Sequence, residues 1–104
     1  MKKALVKVNN IPAGILKEIE KNKQYVFSYF DHYNGAAVSL TMPLDRKKYI
    51  YNEFPPFFDG LLPEGVQLEA LLKQKKIDKN DLFTQLITVG ADLVGAINVE
   101  PYNE

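Results

Sequence analysis

The chain has 104 residues, enough for one domain (residues 1–104) that buries roughly two-thirds of its unfolded surface. Hydrophobic residues make up 46% of it and charged residues 25%, which excludes a disordered chain. Thirteen basic and thirteen acidic residues cancel, so nothing attracts the chain generally to nucleic acid. It has no cysteine, which excludes disulfides and zinc–thiolate sites, and no apolar run approaches the roughly 18 residues of a membrane span. We expect a cytoplasmic protein that binds neither nucleic acid nor membrane.

The first forty residues are predicted to form β-strands. Apolar side chains alternate along residues 4–8 and again along residues 14–19. Residues 25–30 are β-branched and aromatic, as is typical of a strand, and residues 37–40 are predicted to form a short fourth strand that ends before Pro43. The turns between these segments are short, which favours antiparallel pairing.

The second half of the chain is predicted to be mainly helical. Residues 46–52 form either another short strand or an irregular link. A helix is expected to begin at Pro63 and to end near Lys76, and a second is capped within residues 78–81. Gly90 ends the second helix, and residues 93–99 form a last strand that returns to the sheet. The apolar residues at helical spacing are Leu68, Leu71 and Leu72 in the first helix and Leu82, Phe83, Leu86 and Ile87 in the second. The predicted fold class is α+β, a single domain with a mostly antiparallel sheet of about five strands covered by two helices.

The most distinctive segment is Phe-Pro-Pro-Phe-Phe-Asp-Gly-Leu-Leu-Pro-Glu-Gly, residues 54–65. Its prolines and its Asp-Gly turn signal argue against a regular helix or a central strand. Phe54, Phe57 and Phe58 therefore either fill the core or meet another protein, and we favour the core. The connection from Gly60 to Val66 is either the start of a helix or a rigid projection that a partner recognises.

Residues for catalysis are scarce. His32 is the only histidine, and we interpret it as a polar loop residue. A Ser/His/Asp set would have to include it, and the sequence has no spacing typical of metal ligands. The six glycines occur singly, so no phosphate-binding loop is present. Tyr25, Phe27 and Tyr29 share one face of a strand and could stack on bases, but the neutral charge favours core packing. We predict no enzyme, no cofactor, no metal site and no catalytic residue.

Several segments in order resemble the N-terminal subdomain of HipA-type serine/threonine kinase toxins. They are Val-Lys-Val-Asn-Asn-Ile-Pro-Ala-Gly-Ile-Leu (6–16), Tyr-Val-Phe-Ser-Tyr (25–29), Val-Ser-Leu-Thr-Met-Pro-Leu (38–44), Pro-Phe-Phe-Asp-Gly-Leu-Leu-Pro-Glu-Gly (56–65) and Val-Gly-Ala-Asp-Leu-Val-Gly-Ala (89–96). The similarity covers roughly residues 4–101. In this family the subdomain precedes a kinase core, and no kinase motif is present here.

A free-standing copy of this subdomain resembles HipS, the small component of HipBST toxin–antitoxin systems. The resemblance implies an antitoxin that binds and neutralises a HipT-like kinase, with a HipB-like DNA-binding protein as a further partner. It also implies that the toxin acts on an aminoacyl-tRNA synthetase. The expected partner-binding residues are Glu64, Gly65, Val66 and Gln67. The alternative is that the chain is the N-terminal regulatory subdomain of a full-length HipA-like kinase.

The chain departs from the HipS pattern at one position. In HipS a bulky side chain near the start of the helix after Leu-Leu-Pro-Glu-Gly is thought to reach the kinase active site. This chain has no tryptophan, and Val66 follows Gly65. A smaller plug, a contact elsewhere, or a loop held open would each account for inhibition without it.

Overall fold

The computed structural model of the protein describes residues 2–93 and 95–102. Five strands form one antiparallel sheet in the order β4-β3-β2-β1-β5. The strands are β1 (Lys2–Val8), β2 (Ile11–Glu20), β3 (Gln24–Tyr29), β4 (Lys48–Tyr51) and β5 (Ile97–Pro101). The helices are α1 (Pro56–Asp59), α2 (Gly65–Lys75) and α3 (Leu82–Val89), and a 3₁₀ turn (Gly90–Asp92) follows α3. The antiparallel α+β class predicted from the sequence is confirmed.

The core lies on one face of the sheet, called here the inner face. The strand register places Ala4 opposite Leu16 and Leu16 opposite Phe27, so that apolar side chains from neighbouring strands lie side by side on this face. The helices α1 and α3 pack against this inner face and contribute Phe58, Phe83 and Leu86, all fully buried. Because this face is apolar at alternate positions, the period-2 pattern of the sequence is sufficient to define it.

Residues 37–40, all described, form no strand, so the predicted fourth strand is wrong. Val38 and Met42 are buried there, but hydrogen bonds to a tyrosine side chain replace the expected strand pairing. The fourth strand is β4, within the segment for which a strand or a link was left open.

The segment of prolines and phenylalanines, for which no regular helix was predicted, holds a helix of one turn, α1. Pro56 is the first residue of α1, where the backbone N–H that proline lacks would have no helical partner. Three helices therefore replace the two that were predicted.

The boundaries of α2 and the start of β5 lie within a few residues of the predicted positions. The helix expected from Pro63 begins at Gly65, because Glu64 is its N-cap. It ends at Lys75, near Lys76 as predicted, and the left-handed backbone of Lys76 caps the last turn. The last strand begins at Ile97 rather than at residue 93, and Val94 lies outside the described residues.

Candidate partner-binding site

The segment between α1 and α2 is anchored in the core at its start. Phe54 and Phe58 are buried, and the Phe54 ring meets Tyr25 edge-on with 5.3 Å between ring centroids. The half-buried Phe57 ring packs edge-on against Phe58 at 5.2 Å. The prediction that these phenylalanines serve the core is confirmed for Phe54 and Phe58. Because such ring pairs are rigid, the chain that follows them starts from a fixed position.

The segment leads into the exposed start of α2, made of its N-cap Glu64 and its first residues Gly65, Val66 and Gln67, which we call the tip. Gly65 has φ +59°, and a side chain placed there would meet no described atom within 4 Å. The left-handed backbone explains why glycine stands at this position, and the open space shows that this side of Gly65 is uncovered. Val66 is 82% exposed, although it is apolar and β-branched. All four predicted partner-binding residues therefore lie on the surface.

The helix that begins at the tip, α2, contributes little to the core. None of the eleven residues of α2 is buried, whereas α3, with eight residues, buries Phe83, Gln85 and Leu86. The leucine stripe of α2, Leu68, Leu71 and Leu72, is only half-buried. This helix is consequently a peripheral element whose apolar side retains surface for another molecule.

A shallow groove of about 290 Å³ adjoins the tip. It runs between the tip and the end of α3, and its lining is Leu61, Leu62, Pro63, Gln67, Val89, Asp92 and Leu93. Gln67 belongs both to the tip and to this groove. A partner that contacts the tip could therefore extend over an adjacent apolar surface that holds one carboxylate, that of Asp92.

A charged cluster of Asp81, Lys2 and Lys21 lies at the N-terminus of α3, away from the groove, and has a structural role. The carboxylate of Asp81 accepts hydrogen bonds from the Thr84 backbone N–H (3.1 Å) and hydroxyl (2.7 Å), which caps the helix. Burial by itself would raise the pKa of Asp81, but these bonds and the charges of Lys2 and Lys21 outweigh it and hold the pKa below its ordinary value. These contacts explain the lowered pKa without any catalytic role.

The remaining candidate residues lie either in the core or in an exposed loop. Tyr25, Phe27 and Tyr29 are buried beneath the helical layer, so the alternative of an open base-stacking platform is wrong. His32 is exposed in its loop, and its ring stacks on Phe30 at 6.0 Å. Within residues 2–93 and 95–102 no three His, Asp or Glu side chains are grouped to hold a metal ion. No helix in that part of the chain is long and apolar enough to cross a membrane.

One exposed residue was missed by the sequence analysis. Leu40 is 100% exposed, at the point where a strand was predicted. The available signal was the spacing of Ser39 and Thr41, since serine and threonine two residues apart favour a turn in which side-chain hydroxyls bond to the backbone.

Comparison with known proteins agrees with this architecture. A model of the HipA N-terminal domain matches residues 4–100. A solved structure described as the N-terminal domain of HipA toxin superimposes with a TM-score of 0.77 at 25% identity, covering all of this chain and 95% of that one.

Two curated relatives differ in length. An uncharacterized protein of Haemophilus influenzae is 29% identical over 87 residues, which are 84% of this chain and 80% of that protein. A protein of Sinorhizobium fredii named putative kinase Y4mE is 28% identical over 80 residues, 77% of this chain but only 19% of that protein. The same domain thus occurs in a small protein and as about a fifth of a much longer one. With its sheet, its helices and nearly its whole length matched, the chain belongs to the HipA N-terminal domain family.

Proposed function

We propose that the chain is a non-catalytic antitoxin that binds a HipT-like serine/threonine kinase and blocks it. The observation that carries this proposal is the tip: an exposed helix start with a left-handed glycine and an exposed valine, on a domain of the HipA N-terminal family. The domain acts by shape, and the kinase supplies all of the chemistry. This places its action in the cytoplasm, where a HipB-like DNA-binding protein would join the complex.

The relatives support binding to a kinase rather than to another class of partner. In the relative named putative kinase Y4mE, the matched part leaves about four-fifths of the chain for other elements. A domain that packs against a kinase body within one chain can pack against the same body from a separate chain, because the contacts do not depend on the covalent link. The small Haemophilus influenzae relative shows that the domain also occurs in a protein little longer than itself.

The proposed contact is made by Glu64, Gly65, Val66 and Gln67, with the groove beside Gln67 as its extension. An interface of standard size buries about 800 Å² on each partner, far more than four residues can offer. The tip is therefore the centre of the contact and the half-buried leucine side of α2 its surroundings. Val66 is too small to fill an active site alone, so we propose that inhibition comes from holding a kinase element in place.

Co-expression with a HipT-like kinase tests the proposal, and a kinase frame next to the gene for this chain would be the first choice. The wild-type chain should restore growth that the kinase arrests, and the purified chain should lower kinase turnover. Val66→Asp puts a charge at the centre of the contact and should weaken binding at least tenfold. Ile50→Asp is the matched control, because Ile50 is 62% exposed on the opposite face of the sheet. Equal rescue by both variants would show that the tip is not the contact.

The alternative function is that of a regulatory subdomain in a longer HipA-like kinase. The 19% coverage of the Sinorhizobium fredii protein is the observation that favours it. Reading the gene beyond codon 104 distinguishes the two, since a kinase sequence in the same frame would support the alternative. Incubating the purified chain with ATP and a protein substrate tests the absence of catalysis, and phosphate transfer would contradict both functions.

A further inference from the structure

The loop that carries Leu40, residues 36–43, is held in place by tyrosine side chains. The Tyr29 hydroxyl donates to the carbonyl of Met42 (2.6 Å) and accepts from the backbone N–H of Val38 (2.8 Å). Two further bonds hold the ends of the loop, from the hydroxyl of Tyr49 to the carbonyl of Pro43 and from that of Tyr33 to the carbonyl of Ala36. Because the sheet fixes the rings of Tyr29 and Tyr49, the loop takes on the rigidity of the sheet.

The point of this loop presents a leucine to water. The Thr41 backbone N–H donates to the Ser39 hydroxyl (3.2 Å), and the Met42 N–H donates to the Ser39 carbonyl (3.0 Å). These bonds close a tight turn around Leu40, whose side chain is 100% exposed and does not fold back onto the core. An exposed apolar side chain on a preordered loop is well suited to binding, because little conformational entropy is lost when it is buried by a partner.

This loop lies on the same side of the sheet as the tip. Tyr29 shares the inner face with Phe27, whose ring is 4.9 Å from it, and Phe27 contacts the ring of Phe58 in α1 at 6.1 Å. The chain that leaves α1 leads directly to the tip. The Leu40 loop and the tip are thus two projections from one layer, whereas Ile50 belongs to the opposite face.

We propose that Leu40 is a second anchor of the kinase-binding surface and inserts into an apolar pocket of the same HipT-like kinase. This inference rests on the proposed function. An interface of about 800 Å² corresponds to a disc about 32 Å across, and the molecule measures 39 × 27 × 26 Å. A disc of that size covers most of the longest dimension of the molecule, so one partner seated on this layer can contact both the Leu40 loop and the tip. It would cover the two most exposed large apolar side chains of the described residues, Leu40 and Val66.

The test measures the affinity of the full chain for the HipT-like kinase used in the co-expression experiment. Leu40→Ser should weaken binding about 10- to 100-fold, and Leu40→Met, which keeps an apolar side chain, should restore most of it. Ile50→Ser is the control for losing an exposed apolar residue and should bind within about twofold of wild type. Because Leu40 makes no core contact, its variants should melt at the wild-type temperature, which separates lost binding from lost folding.

The outcomes distinguish this inference from the proposed function. If Leu40→Ser binds as well as wild type while Val66→Asp does not, Leu40 is no anchor and the antitoxin function stands. If the wild-type chain neither binds nor inhibits the kinase, both proposals fall. Light scattering tests whether Leu40 instead binds a second copy of this chain. A wild-type dimer that becomes a monomer in Leu40→Ser would show this and would overturn the inference.

Discussion

The hydroxyl of Tyr29 is expected to contribute more to stability than the hydroxyl of Tyr49, which holds the other end of the same loop. Tyr29 is 4% exposed, and its hydroxyl satisfies the N–H of Val38 and the carbonyl of Met42, residues that are themselves 5% and 1% exposed. Tyr29→Phe keeps the ring and removes both bonds. Since water hardly reaches either backbone group, each is left unpaired at a cost of about 1–2 kcal/mol. The variant should lose about 2–4 kcal/mol of unfolding free energy.

Urea denaturation followed by circular dichroism measures this loss, with the melting temperature as a second readout. For a domain of this size a loss of 2 kcal/mol lowers the melting temperature by at least about 8 °C. Tyr49→Phe is the matched control, because it removes one hydroxyl bond, to the carbonyl of Pro43, at an exposed site. It should cost under about 1 kcal/mol. A Tyr29→Phe variant as stable as Tyr49→Phe would refute the reasoning that buried, doubly bonded hydroxyls hold the loop.

Two further substitutions test the packing around α3. Asp81→Ala removes the helix cap on Thr84 and should cost about 1 kcal/mol in urea denaturation. Folding lowers the pKa of Asp81, so its contribution to the unfolding free energy is fully present above the ordinary pKa of 3.8 and is lost as the pH falls through the lower pKa of the folded state. The stabilities of wild type and variant should therefore converge in acid. A stability difference that stays constant with pH would contradict this assignment. Gly90→Ala would place a Cβ 1.9 Å from the carbonyl oxygen of Val99 and should cost about 3 kcal/mol or more. Gly60→Ala, where the nearest such contact is 3.4 Å, should leave the melting temperature almost unchanged, and equal losses at both glycines would contradict the close approach at Gly90.

Much of the sheet could be predicted because its pattern is local. Tyr25, Phe27 and Tyr29 alternate with less buried residues, so the period alone places them on one face. The cap at Asp81 and the end of α3 at Gly90 follow from residue types that favour helix ends. In these segments the partner of each backbone group is either nearby in sequence or on a regular strand.

The wrongly predicted fourth strand arose where the hydrogen-bond partner of the backbone is a distant side chain. Val38 and Leu40 alternate as in a strand, but the hydrogen-bond partner of Val38 is the hydroxyl of Tyr29, nine residues earlier. No local pattern records such a bond. The leucine stripe of α2 likewise predicts a helix but cannot show whether its apolar side meets the core, and in the structure it is only half-buried. At the tip, glycine at position 65 signals the left-handed backbone, whereas what the tip binds is a property of another molecule.

The pairing of the last strand with the first has a consequence for how the domain can be used. In β5, Pro101 lies opposite Ala4 of β1, and the N–H of Tyr102 donates to the carbonyl of Lys3. The first and last strands of the fold are side by side, and the same domain occurs both in a small protein and in a much longer one. A tether supplies an effective concentration near the millimolar range. A separate copy has no such effective concentration, so it needs a higher intrinsic affinity to reach the same occupancy. Contacts that are ordered before binding favour a higher affinity, because less conformational entropy is lost.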